Sequence, residues 1–198
     1  MNEPPLILLG SPRAQGAGDA IGGLLAEGLA QAGIVPRTVA VRDHAILPCQ
    51  GCLACASPPH ACPLGERPDD DAEGLFSLLL QAPLILLVAP VYFYALPAHF
   101  KALVDRAQRF WAAGGGNRPP KRPALVTLTA GSANGEHIFE GTLLSLKYFL
   151  LQIGVEIREV RRLRGVQGPG SILGDAGACD DLRSWGRAWG ERCAPALA

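Results

Sequence analysis

Short, wholly apolar runs alternate along this chain with stretches whose apolar residues recur every three or four positions. Pro5-Leu6-Ile7-Leu8-Leu9 is the first run, and it ends at Gly10-Ser11-Pro12. A strand buried on both faces has this look, since neither side can be polar. Over about 17–32 the period turns helical: Ile21, Leu24, Leu25 and Leu29 share a face, with Gly33 at the stop position. Further strands are predicted over 38–41, 84–89, 124–129 and 155–160, the last with Glu156 and Arg158 facing out. A helix through Leu80 opens at Asp69-Asp70-Asp71, whose carboxylates suit a helix N-terminus. Another, 97–111, carries Phe100, Leu103, Val104, Ala107 and Trp111; a third covers 138–152. Asp180 is predicted to cap a helix over 180–193 bearing Leu182, Trp185, Trp189 and Cys193. The segments 114–123 and 165–178 read as loops.

Strict alternation of apolar strands with helices predicts a parallel sheet with helices on both faces. Five strands suit a flavodoxin-like doubly wound α/β sheet of order 2-1-3-4-5, with its ligand beyond the strand C-termini at the switch point. No repeat or linker divides the chain, so residues 1–198 are read as one domain with a Cys-rich loop, 48–68, after strand two.

Composition narrows the function. Hydrophobic residues are 48% and charged ones 18%, which argues against disorder. The formal net charge is zero, so no basic excess supports a nucleic-acid partner. The uncharged stretch from Gly74 to Ala98 is long enough to raise a membrane span, but Pro83, Pro90 and Pro97 interrupt it. The expectation is a cytoplasmic protein with no membrane association, in which clustered thiols serve a metal rather than disulfides.

Gly10-Ser11-Pro12-Arg13-Ala14-Gln15-Gly16-Ala17-Gly18-Asp19 links the first strand to the first helix. Free N–H groups and the positive dipole end there suit a phosphate; Ser11 and Arg13 can add hydrogen bonds. This is neither a P-loop nor a G-x-G-x-x-G fingerprint. An ordinary Gly-rich turn is the plainer alternative.

This loop, taken with PVYFYALPAHFKALVDR at 90–106, resembles the NAD(P)H-dependent FMN reductase group, and especially the iron–sulfur flavoproteins. The likeness extends from residue 5 to about 160. It implies that Ser11, Arg13 and the amides of Gly16, Ala17, Gly18 and Asp19 hold the FMN phosphate. The family pattern continues Asn-Thr/Ser where this chain has Ala17-Gly18. By the same resemblance Pro90, Val91, Tyr92, Phe93 and Tyr94 border the flavin ring, as does Thr129-Ala130-Gly131-Ser132 after strand four. The aromatics could equally just cover the sheet edge. Asp105-Arg106 is similar to the family's D-R pair and reads as a structural ion pair; His137 is a candidate proton donor.

Cys49-x2-Cys52-x2-Cys55-x6-Cys62 has the compact spacing of a [4Fe–4S] ligand set, and the iron–sulfur flavoproteins carry such a set after strand two. Zinc, or plain or disulfide-linked thiols, are the alternatives. Cys179 and Cys193 read as structural. The resulting expectation is an FMN oxidoreductase whose cluster passes electrons to FMN and on to a small-molecule acceptor, with NAD(P)H or a ferredoxin-like protein as donor. A homodimer or homotetramer is implied by the resemblance. A cluster-free NAD(P)H-dependent FMN or quinone reductase and a non-enzymatic flavodoxin-type electron carrier are the other two readings.

Overall fold

The computed structural model describes residues 3–114 and 122–197, without the side chains of 194–197. Its strands β1 (Leu6–Leu9), β2 (Arg37–Ala40), β3 (Ile85–Pro90), β4 (Arg122–Thr129) and β5 (Val155–Leu163) form one sheet of order β2-β1-β3-β4-β5. Every pairing is parallel. The helices between them are α1 (Ala17–Gln31), α2 (Ala72–Gln81), α3 (Ala98–Arg106), α4 (Gln108–Ala112), α5 (Glu140–Gln152), α6 (Gly170–Leu173) and α7 (Ala176–Leu197). The architecture is the flavodoxin-like one expected.

The all-apolar run of β1 explains the two-sided core. Leu6 and Leu8 point into a cluster with Leu75, Phe76, Phe100 and Phe149 from α2, α3 and α5. Ile7 and Leu9 point the other way, against Ile21, Leu25 and Leu29 of α1 and Leu182 and Trp185 of α7. Because successive strand side chains alternate faces, a strand covered on both sides must be apolar throughout. Helices α1 and α7 approach backbone to backbone: a methyl group on Gly28 would strike the Arg183 carbonyl, and one on Gly186 the Leu25 carbonyl.

Several boundaries differ from the periodic reading. The expected helix 97–111 breaks at Ala107 into α3 and α4, and α4 packs against a short 3-10 turn, Ala54–Ala56, of the Cys-rich loop. The expected loop 165–178 contains α6 and the start of α7. There Asp175, rather than Asp180, caps the helix by accepting the Ala178 N–H at 3.0 Å. The Asp69-Asp70-Asp71 run caps α2 less simply than expected. Asp71 accepts from the Ala45 N–H, Asp69 pairs with Arg67, and Asp70 turns inward. The expected loop 114–123 falls mostly on residues outside those described.

Arg106 fixes the base of the Cys-rich loop. Its side chain is fully buried, and Nη1 donates to Asp70 Oδ1 at 2.8 Å and to the Leu47 carbonyl at 3.1 Å. Asp70 Oδ1 also accepts the Leu47 N–H at 2.9 Å, so both ends of the loop meet at one guanidinium. Asp105 and Arg106 do make ion pairs, but with Lys101 and Asp70 respectively.

Candidate functional site

Strands β1, β3, β4 and β5 all deliver their following loops to the same edge of the sheet, and the loops enclose a cavity there. This is the place a doubly wound sheet reserves for ligands, because the strand order reverses between β1 and β3. Ser11, Arg13, Gly16, Ala17 and Gly18 form its floor; Pro90, Val91 and Tyr92 form one wall, Thr129 and Gly131 another.

The floor has the chemistry of an anion site. The N–H groups of Ala17, Gly18 and Asp19, in the first turn of α1, meet no acceptor among the described residues. Ser11 is buried; its Oγ accepts the Arg13 N–H at 3.1 Å and so shapes the turn. Asp19 is not part of the lining. Its Oδ2 accepts the Gly16 N–H at 3.1 Å, and its Oδ1 pairs with Arg42 at 2.6 Å.

The wall is a strained aromatic finger. Tyr92 and Ala95 exchange both backbone hydrogen bonds, at 2.9 and 3.0 Å, so Phe93 and Tyr94 occupy a two-residue hairpin turn. Both are left-handed, with φ of 50° and 62°, where side chains other than glycine are disfavoured. Strain of this kind gathers at functional sites. The finger rests on the start of α5, where a side chain on Gly141 would strike the Tyr94 carbonyl. Its base is tied to the next loop by Val91 N–H donating to the Thr129 carbonyl at 2.8 Å. Phe93 is wholly exposed and Tyr94 half-exposed, so neither side chain lines the cavity.

Two other expected residues lie beside the cavity rather than on it. Ala130 is buried, its carbonyl taken by the Val166 N–H, and Ser132 turns its hydroxyl to the Asn134 carbonyl. His137 is exposed and pairs with Glu140 at 2.7 Å, outside the cavity lining.

Val166 and Gln167, from the loop after β5, complete the lining and carry no motif. Gln167 joins three segments: its carbonyl accepts from Arg13, its Nε2 donates to the Gly131 carbonyl at 2.8 Å, and its N–H donates to Ser171 Oγ. The one available signal was topological. Every βα loop of a parallel sheet opens onto the same edge, including the loop after strand five.

The four cysteines of the loop differ in exposure. Cys49 and Cys52 are exposed, Cys55 and Cys62 half-buried. Among the described residues, no three Cys, His, Asp or Glu side chains converge on a metal-sized point. Local geometry separates them: Leu53 is left-handed, Cys55 sits in the 3-10 turn against α4 with its carbonyl facing His60 Nδ1, and Cys62 leads into a second 3-10 turn, Pro63–Glu66. Cys179 is buried in the core, and burial pushes the Cys193 thiol up despite Arg192 beside it.

A flavodoxin-like sheet with an unpaired-amide floor at its switch point defines a mononucleotide-binding α/β protein. The chain belongs to the NADPH-dependent FMN reductase family, whose model matches residues 6–152, and is accordingly an FMN-dependent oxidoreductase. Similar structures include a flavone reductase, with 15% identity and a TM-score of 0.70 over 98% of this chain and 64% of that one. An NAD(P)H:quinone oxidoreductase from Methanothermobacter marburgensis has 18% identity and a TM-score of 0.62, covering 96% and 98%. An FMN-dependent NADH-azoreductase from Bacillus anthracis str. Ames Ancestor, in complex with FMN, has 13% identity and a TM-score of 0.61, covering 96% and 100%. The chain thus spans about two thirds of the flavone reductase. No curated protein sequence matches it significantly. No helix among the described residues is long and apolar enough to cross a membrane.

Proposed function

We propose that this protein is a cluster-free, FMN-dependent NAD(P)H oxidoreductase acting on a small acceptor of the quinone class. The observation that carries this reading is the cavity itself: unpaired amides at one end, and at the other Pro90, Val91 and Tyr92 facing Thr129 and Gly131. The amides of Ala17, Gly18 and Asp19, with Ser11 and Arg13, would hold the FMN phosphate; Pro90–Tyr92 and Thr129–Gly131 would border the ring. Bound FMN supplies the hydride chemistry. The chain's own part is positional. Arg13 offers a charge-assisted contact to a phosphate oxygen, and the Ala17–Asp19 amides fix it without a side chain. Pro90, Val91 and Tyr92 exclude water from the opposite end. The N–H groups of Phe93 and Tyr94 have no acceptor among the described residues and remain available at the finger.

A second reading, in which the loop 48–68 holds a [4Fe–4S] cluster and a ferredoxin-like protein is the donor, rests on the cysteine spacing and the resemblance to the iron–sulfur flavoproteins. One preparation decides between them. Anaerobically purified protein is reconstituted with FMN, and iron, acid-labile sulfide, bound flavin and NADPH oxidation with a quinone are measured without partner proteins. Stoichiometric flavin, turnover and no sulfide are expected. About four irons and four sulfides per chain would establish the second reading; bound flavin without turnover would make it a carrier. Failure to retain flavin would overturn the reading altogether. Sedimentation of the same sample is expected to show the homodimer or homotetramer included in this proposal.

A further inference from the structure

The phosphate floor carries a puzzle of charge. Positions 17 and 18, where α1 begins, are Ala and Gly and offer no side-chain donor, while position 19 places a carboxylate in the first turn, next to where a phosphate dianion would sit. Left alone, that carboxylate would repel the ligand by the same electrostatics that make the helix end attractive.

Arg42 removes the conflict. It follows β2, at the edge where the loops converge, and its side chain is only 16% exposed. Nη2 pairs with Asp19 Oδ1 at 2.6 Å, and Nη1 donates to the carbonyls of Ser11 and Arg13, both at 3.4 Å. Nε lies 3.7 Å from Asp43 Oδ1. One guanidinium thus draws two loop carbonyls and one carboxylate to the outer side of the turn. Asp19 in turn holds the Gly16 N–H at 3.1 Å. These contacts hold the loop from Ser11 to Arg13 and the Gly16 N–H, while the amides of Ala17 and Gly18 point out of the helix end because nothing within the helix accepts them.

We propose that Arg42, acting through Asp19 and the loop carbonyls, is the positioning residue that makes this turn phosphate-selective. It neutralises the one carboxylate that the first turn of α1 carries. The proposal deepens the FMN reading and rests on it. It makes a claim about the phosphate end only: Arg42 should govern the preference for FMN over riboflavin, which share the ring and differ in the phosphate.

Binding of FMN and of riboflavin to apoprotein is measured by quenching of flavin fluorescence, for wild type, Arg42→Ala, Arg42→Lys and Arg42→Ala/Asp19→Asn. Arg42→Ala is expected to weaken FMN by about tenfold or more, the scale of one charge-assisted contact, while riboflavin changes by less than about twofold. Removing the stranded carboxylate in Arg42→Ala/Asp19→Asn should recover part of the FMN loss, since Asn can still accept the Gly16 N–H. Arg42→Lys keeps the charge without the fork and should fall between. Equal weakening of both flavins, or unchanged FMN binding in Arg42→Ala, overturns the assignment while leaving the FMN reading intact. Should Arg42→Ala not fold, the FMN-to-riboflavin ratio of Arg42→Lys is decisive: an unchanged ratio overturns the proposal. Wild type that binds neither flavin overturns both.

Discussion

Replacing Arg106 by alanine is the perturbation whose cost the structure fixes most closely. Arg106 and Asp70 are both fully buried and 2.8 Å apart, so the substitution leaves a carboxylate without solvent or countercharge. Glu73, 3.8 Å from Arg106, is half-exposed and keeps Arg109, so it loses little. The cost therefore lies with Asp70. Stranding one member of a buried pair costs about 3–5 kcal/mol. That is a large part of the roughly 5–15 kcal/mol that stabilises an ordinary domain. At about 2–4 °C per kcal/mol for a chain of this size, the melting temperature should fall by roughly 10 °C. Urea titration followed by tryptophan fluorescence measures the free energy, and far-UV circular dichroism the melting. Arg106→Met/Asp70→Asn removes both charges and keeps an acceptor for the Leu47 N–H, so it should lie within about 2 kcal/mol of wild type. A loss under about 1 kcal/mol in Arg106→Ala would refute the reasoning, as would a double variant no more stable than Arg106→Ala.

Two further outcomes follow from single groups. Burial raises the proton affinity of Glu159, but hydrogen bonds from the Trp185 and Trp189 indoles, with Arg192 and Arg161 nearby, outweigh it and hold the carboxyl below its ordinary value. A depressed carboxylate contributes stability above its unfolded value, about 4.3, and loses it as pH falls through the folded value. Glu159→Gln should flatten that part of the acid unfolding curve; an unchanged acid limb would count against this. Of the cysteines, Cys49 and Cys52 should react with a chromogenic disulfide at once, and Cys179 only when the protein unfolds. Rapid modification of Cys179 in the native state would contradict its placement in the core.

The fold was legible because the central strands β1, β3 and β4 are buried on both faces. Leu6–Leu9 and Ile85–Pro90 leave no polar alternation to mislead, and the helical period of α1 is unbroken. Boundaries were less legible where long-range contacts decide them: Arg106 drawn to Asp70 lies just before the break at Ala107, and Asp175 outcompetes Asp180 as a cap. The cavity was readable wherever a motif marks it, at Ser11–Gly18, Pro90–Tyr92 and Thr129–Gly131. Arg42 and Gln167 were hidden because their roles depend on partners 23 to 154 positions away. The cysteine spacing leaves the arrangement of the thiols open. Spacing fixes how far thiols can reach along the chain, whereas the turns at Leu53 and Ala54–Ala56 decide where they point.

The close glycine contact between α1 and α7 bears on how the molecule acquires its site during synthesis. Helix α1 emerges from the ribosome early, but the helix that covers its back is made only after the whole sheet. Until then Ile21, Leu25 and Leu29 have one face of β1 and β3 and no outer layer, and the turn at the start of α1 is held by a half-clad helix. Contacts of such long sequence separation form late and slowly. Flavin capture should therefore be a post-translational event, with a nascent chain lacking α7 unable to retain the cofactor.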